Sequence, residues 1–300
     1  MFEIFKNRLK ITGTLTTITA LRISAGRSTE PIGSDLPVIK DALGRPLIPG
    51  SSFKGAMRSR LESFLRGINP NFAANPAIEA EWSITNERLN GKNGIKEEVE
   101  EELKQYPEKE RNAKRDELLT KKIIDETDLA SHLFGSPWLA SKFQVRDLTI
   151  VPDTWFGQYQ ERDGVAIDRD TETAAEGKLY DFQVVPAGTQ FEFQAVVENA
   201  EEWELGLLMI GLHQFQTEQI PLGGGRSRGL GVVKLDINEM LWFDYPEDQP
   251  QLLLDYLKKL VMGDKKAYED ARDFKDHWVQ KLIEHLESKA SHKNNTEAKR

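Results

Sequence analysis

Residues 221–233 read PLGGGRSRGLGVV. A backbone that meets glycine this often must turn through φ > 0 or pass very close to another segment. The two arginines inside the run direct that surface toward an anion. Its place in the chain constrains the fold further. An apolar helical pattern, EEWELGLLMIGLHQFQ, precedes it, and a strand pattern, GVVKLDIN, follows it. A nucleoside-triphosphatase phosphate loop needs the opposite order, strand then helix, and a Gly-Lys-Ser/Thr ending. A dinucleotide fingerprint fails on the same topology. Two readings remain: a structural glycine turn, or a nest of backbone N–H groups with arginine forks gripping a polynucleotide backbone.

The formal charge of −9 over 300 residues argues against nucleic acid when taken alone. Its distribution argues otherwise. Between Lys40 and Arg66 stand Lys40, Arg45, Lys54, Arg58, Arg60 and Arg66 against Asp41 and Glu62. The stretch 221–234 carries Arg226, Arg228 and Lys234 with no acid. Acidic excess gathers in 79–126 and in the C-terminal part, so two glycine-bearing segments are locally basic, the pattern phosphate contacts require. There is no cysteine, which excludes disulfides and thiolate metal sites and fits a reducing compartment. The opening MFEIFKNRLK has no signal-peptide apolar stretch, and no apolar run reaches the roughly 20 residues that span a bilayer. The expectation is a soluble, cytoplasmic protein without a membrane partner.

Along the chain, residues 7–25 alternate around Leu9, Ile11, Leu15, Ile18, Leu21 and Ile23 and predict one long strand or a tight pair. LPVIKD predicts a short strand. SSFKGAMRSRLESFLRG predicts a helix with Ser51 or Ser52 as N-cap and Gly67 as its stop. Residues 69–127 read as charged, mostly solvated helices, and DLASHLFGSP as a short helix. KFQVRDLTIVPD and GTQFEFQAVVEN are strands, 153–183 is polar and irregular, and 201–216 is an amphipathic helix with an acidic first turn. Helices are expected from Met240 onward. The predicted organisation is a core of 1–68 and 128–240, a charged helical insertion at 69–127, and a helical extension at 241–300. With the insertions removed, the order strand, helix, strand, strand, helix, strand predicts an α+β fold: a ferredoxin-like antiparallel sheet with helices on one face, as in RNA-recognition motifs. The other face is then open to a ligand.

IPGSSFKGAMRSRLE (48–62) followed by PLGGGRSRGLGVVKL (221–235) resembles the paired signature of the RAMP superfamily of CRISPR proteins, and more narrowly the backbone subunit of type III effector complexes. GSDLPVIKDALGRPLIPGSS (33–52), HLFGS (132–136), VRDLTI (145–150) and IDRDTETAAEGKLYDFQVVPAGTQF (167–191) extend the resemblance. It implies a protein that assembles side by side with other RAMP-type subunits and a large polymerase-like subunit along a guide CRISPR RNA, against a target RNA. It implies that Ser51, Ser52, Lys54 and Arg58, with Gly223, Gly224, Gly225, Arg226, Ser227, Arg228 and Gly229, hold guide phosphates. It further implies a base-flipping thumb at about 153–183, here with Trp155, Phe156, Ile167 and Arg169.

The same resemblance makes Asp35, within GSDLPVIKD, the catalytic and metal-binding candidate, with Mg2+ or Mn2+ as cofactor. A carboxylate beside a flipped nucleotide can hold a divalent cation or orient the 2′-hydroxyl toward the adjacent phosphorus. Similar proteins carry a histidine after the first strand where this chain has Arg22, which can contact phosphate but cannot serve as a neutral base. A non-cleaving guide-RNA scaffold is therefore the alternative to an endoribonuclease. Guide-processing endonucleases of the same superfamily use a histidine in the N-terminal half, whereas the first histidine here is His132. His132 and His213 sit in helical patterns and read as packing or surface residues. His277 and His285 lack the cysteines that would favour a zinc site.

Overall fold

The computed structural model describes residues 4–26, 36–164, 180–245 and 249–297. The elements run β1 (Asn7–Thr17), β2 (Leu47–Ile48), α1 (Gly50–Ile68), α2 (Asn86–Asn90), α3 (Ile95–Leu103), α4 (Arg111–Glu126) and α5 (Leu129–Phe134). Then come β3 (Phe143–Val145), β4 (Leu148–Thr149), β5 (Gln160–Gly164), β6 (Tyr180–Val184), β7 (Gln190–Glu198) and α6 (Glu202–Gln216). The chain continues through β8 (Val233–Asp244), α7 (Pro250–Val261), β9 (Glu269–Asp270) and α8 (Lys275–Glu297).

The main sheet has the order β3-β7-β1-β8-β9, and each neighbouring pair is antiparallel. Alternation in β1 decides its faces. Leu9, Ile11 and Leu15 are fully buried under the helices, while Thr12, Thr14 and Thr16 point the other way. Gly13 is required by close approach, because a Cβ there would lie 2.5 Å from the Asp236 carbonyl oxygen. The β1–β8 register shifts at that point, as a bulge does. Above the sheet, Phe53 of α1 stacks on Phe215 of α6 at 4.2 Å and meets Phe193 of β7 at 4.9 Å. Burying such a ring stabilises the fold by about 1.5–3 kcal/mol.

Several expectations change here. The strand predicted over 7–25 ends at Thr17, and 18–26 follows as irregular chain held by bridges such as Leu21 to Val185. LPVIKD makes only isolated bridges. KFQVRDLTIVPD breaks into β3 and β4 around Arg146 and Asp147, and the break has a purpose: Asp147 Oδ1 accepts the Gly50 N–H at 2.8 Å and caps α1. Neither Ser51 nor Ser52 is the cap. Gly50 is needed because strand β3 runs across the helix start, with the Val145 carbonyl 2.4 Å from where a Cβ would sit.

β8 runs on to Asp244, through the buried Met240 and Trp242, where helices were expected. Nor is α6 one-sided. Trp278 and Leu282 of α8 cover its outer side, and Gly206 admits the Trp278 carbonyl, which a Cβ would meet at 2.1 Å. The 69–127 segment is not merely solvated: Ile84, Leu89, Ile95, Val99, Leu103 and Leu118 form a small core of their own. Trp138 Nε1 ties that core to the main body by donating to the Ile84 carbonyl at 2.9 Å. No helix among the described residues is long and apolar enough to cross a membrane.

Candidate nucleic-acid interface

The glycine loop joins α6 to β8 and is fixed to the chain just beyond β1. Gly224 N–H donates to the Arg22 carbonyl at 2.8 Å and Gly231 N–H to the Ala20 carbonyl at 2.9 Å. Within the loop, Leu222 N–H donates to the Gly231 carbonyl at 2.8 Å. Two glycines are dictated by this packing. Gly223 has φ +73° and Gly231 φ +86°; a Cβ would sit 2.1 Å from the Arg22 carbonyl at the first and 2.0 Å from the Leu222 carbonyl at the second. A single 3-10 turn, Arg226–Arg228, lies between Gly225 and Gly229, both left-handed. It presents Arg226, Ser227 and Arg228 to solvent.

Leu230 anchors the loop from beneath, buried with Ala20, Phe182 and Val184 and flanked by Leu36 and Tyr180. This small cluster sets Arg22 and Arg228 against the β5–β6 hairpin. The Arg22 guanidinium lies 4.6 Å over the Phe182 ring, and Arg228 Nη1 donates to Tyr180 Oη at 3.0 Å. That hydrogen bond, with the charges of Arg228 and Arg22, holds the Tyr180 phenol below its usual range. Arg22 Nε is buried without a hydrogen-bond partner among the described residues. Tyr180 and Phe182 fall within the 167–191 stretch that carries the resemblance, but no role is assigned to them there, and only the alternation in YDFQV marks them as part of a strand.

Leu36, the residue after Asp35 in the chain, bridges Phe182, and its carbonyl accepts the Gln183 N–H at 3.1 Å. Asp35 itself, with Ile167 and Arg169, lies outside the described residues. Nearer the hairpin base, Trp155 is half-buried and packs on Tyr159 at 4.9 Å, whereas Phe156 is 90% exposed. Tyr159 Oη donates to the Gly44 carbonyl at 2.6 Å, and Lys40 Nζ sits 4.4 Å over its ring.

The other basic group is employed differently. Arg58 Nε donates to Glu62 Oε1 at 2.6 Å, Nη1 to the Gly135 carbonyl at 2.9 Å and Nη2 to Ser131 Oγ at 3.1 Å. It braces α1 against α5. Lys54 Nζ donates to Ser141 Oγ at 2.6 Å, and burial together with Arg58 pushes it down to about 8. Ser51 is exposed and Ser52 half-buried. No hydrogen bond among the described residues links this group to the glycine loop. The open sheet face is not an aromatic stacking platform either. Thr12, Thr14, Thr16, Glu192, Gln194 and Glu239 line it, and its aromatic end, Phe243, is covered by Tyr256 of α7 at 3.9 Å.

His132 and His285 pack on Trp203 of α6. His132 meets the Trp203 ring edge-on at 5.5 Å and His285 stacks on it at 4.5 Å, beside the buried pair Lys142–Glu204. Among the described residues no group of three or more histidine, aspartate or glutamate side chains is placed to hold a metal ion.

The profile of the RAMP superfamily matches residues 14–234. A protein of Enterococcus italicus named CRISPR system Cms endoribonuclease Csm3 is 24% identical over 236 residues, covering 78% of this chain and 92% of the relative. One of the same name from Methanocaldococcus jannaschii is 27% identical over 236 residues, covering 76% and 79%. A third, from Mycobacterium tuberculosis, is 43% identical over 76 residues, which is 22% of this chain and 32% of the relative.

Proposed function

Because the chain belongs to the RAMP superfamily, we propose that it is a guide-RNA-binding, target-RNA-cleaving backbone subunit of a type III CRISPR effector complex in the cytoplasm. The observation that carries this reading is the glycine loop: a rigid, acid-free turn that offers Arg226, Ser227 and Arg228 outward beside Arg22. Fixed backbone and charged forks suit a sugar–phosphate chain better than a single small anion. The names of the relatives support it. We read the strand order β3-β7-β1-β8 as ferredoxin-like, with 1–68 and 128–240 as the core, 69–127 as an insertion and 241–300 as an extension. The partners are guide CRISPR RNA, target RNA, neighbouring RAMP-type subunits and a large polymerase-like subunit. The thumb is the β5–β6 hairpin, and the exposed Phe156 at its base is the residue to stack on a displaced nucleotide.

Asp35 is the proposed catalytic residue. The described residues supply no ready-made cation site, so a divalent ion, Mg2+ or Mn2+, would rest on Asp35 and on RNA oxygens. Such an ion would neutralise charge at the scissile phosphate. A carboxylate near phosphate repels RNA in the ground state and helps only as the reaction proceeds. Replacing Asp35 with alanine in a reconstituted complex should therefore abolish the cut of matched target RNA adjacent to this subunit and leave guide binding intact. Retention of the cut rejects Asp35. A wild type that makes no cut favours the second reading, a non-cleaving scaffold. Arg22 supports that reading, since its guanidinium is seated on Phe182 where similar proteins carry a histidine, and a guanidinium cannot serve as a neutral base.

A further inference from the structure

A second cationic cleft, of about 420 Å3, lies on the sheet face turned away from α1 and α6. Strand register assembles it. Lys10 stands opposite Val196 and Leu241, Val196 opposite Gln144, and Arg8 opposite Glu198 and Phe243. Same-face residues two apart on a strand are separated by about 7 Å. Arg8 and Lys10 thus occupy successive rows. Arg146 occupies the next, its Nη1 donating to Gln194 Oε1 at 3.0 Å. The far wall is C-terminal: Leu260 of α7, and Tyr268, whose hydroxyl lies 3.0 Å from Tyr256 Oη.

The charges nearby are unevenly satisfied. Glu239 is paired with Lys265 at 3.0 Å and Asp270 with Arg272. Glu198 Oε1 forms an ion pair with Arg8 at 3.5 Å from Nε, without hydrogen-bond geometry, so among the described residues that buried Nε donor has no hydrogen-bond partner. Among the described residues neither Lys10 nor Arg146 has a carboxylate partner. On one side the cleft therefore offers guanidinium, ammonium and amide donors, with the Glu198 carboxylate beside Arg8. On the other it offers an apolar wall ending in an aromatic ring, the division of labour a phosphate and a flat base require.

We propose that this cleft binds a nucleotide, its phosphate held by Lys10, Arg146 and Arg8 and its base laid against Tyr268 and Leu260. The site is separate from the glycine loop and draws only in part on the shared family segment, which contains Arg146. Arg8 and Lys10 precede residues 14–234, and Leu260 and Tyr268 follow them. The nucleotide could be free or part of an RNA strand.

The test uses the full chain carrying Arg226→Ala and Arg228→Ala, which disables the glycine loop, titrated at low salt with inorganic phosphate, AMP and a short RNA. Saturable AMP binding at least about ten-fold tighter than phosphate is expected. Adding Lys10→Ala and Arg146→Ala should weaken it a further ten-fold or so. Both side chains are exposed, so the melting temperature should not move. Tighter RNA than AMP assigns the site to a strand, and the reverse assigns it to a free nucleotide. Three results would overturn the proposal: no saturable binding of AMP or RNA, equal affinity for AMP and phosphate, or binding indifferent to Lys10 and Arg146.

Discussion

Arg58 and Arg228 lie in the two basic, glycine-bearing stretches, yet the molecule uses them in opposite ways. Arg58 has donors directed at Glu62, Ser131 and the Gly135 carbonyl, and it joins two helices. Arg228 is exposed and touches one phenol. The difference comes from what surrounds each. α1 packs against α5, so a long side chain there meets carbonyls and a buried carboxylate. The loop is lifted on Leu230 and flanked by left-handed glycines, so its arginines face water. Clustered positive charge in a sequence measures composition; the fold decides which cations remain available to an anion.

The interior marks the extreme of the structural use of charge, and the largest effect is expected there. Lys142 and Glu204 are almost wholly buried and joined at 2.6 Å. Burial pushes Glu204 up even with Lys142 beside it. Glu204→Gln strands the lysine charge and should cost about 3–5 kcal/mol in denaturant unfolding, much of it recovered by replacing Lys142 with methionine as well. A cost under about 1 kcal/mol would place the pair in water rather than in the core.

His132 borders that pair, and burial pushes it down to about 4, with Lys142 adding to the effect. Its folded value lies below the unfolded one, near 6.5. Its contribution is therefore whole above pH 6.5 and is lost as pH falls toward 4. At pH 5 the wild type should have lost about 2 kcal/mol relative to a His132→Asn variant, taking their difference at pH 7.5 as reference. A pH-independent difference would contradict the burial of His132.

Arg58→Ala sharpens the comparison itself. Removing three internal hydrogen bonds and uncovering the buried Glu62 should cost about 2–3 kcal/mol. The salt dependence of RNA binding should stay unchanged. A stable variant with a shallower salt slope would mean that Arg58 faces RNA after all.

The glycine loop was legible before the fold because glycine and arginine density, with helix before and strand after, left few uses for it. The β1 face and α1 were legible through periodicity. Other features depend on partners far away in the chain. Asp147 caps α1 from a break inside what reads as one strand, and Ser51 and Ser52 are local decoys. Ile95, Val99 and Leu103 are spaced as one helical face, but the surrounding glutamates mask the small core they enter. Tyr180 and Phe182 acquire a role only when the hairpin meets the loop. Asp35, Ile167 and Arg169, singled out by resemblance alone, fall outside the described residues.

The most direct test of this division of labour is guide-RNA affinity measured against salt for the wild type, Arg226→Ala/Arg228→Ala and Arg58→Ala. Removing one arginine–phosphate pairing lowers the slope of log affinity against log salt by about one. The account predicts a slope shallower by about two, with an unmoved melting temperature, for the loop variant. It predicts an unaltered slope for Arg58→Ala. A loop variant with the wild-type slope and affinity, or an Arg58 variant that alone flattens the slope, would contradict it.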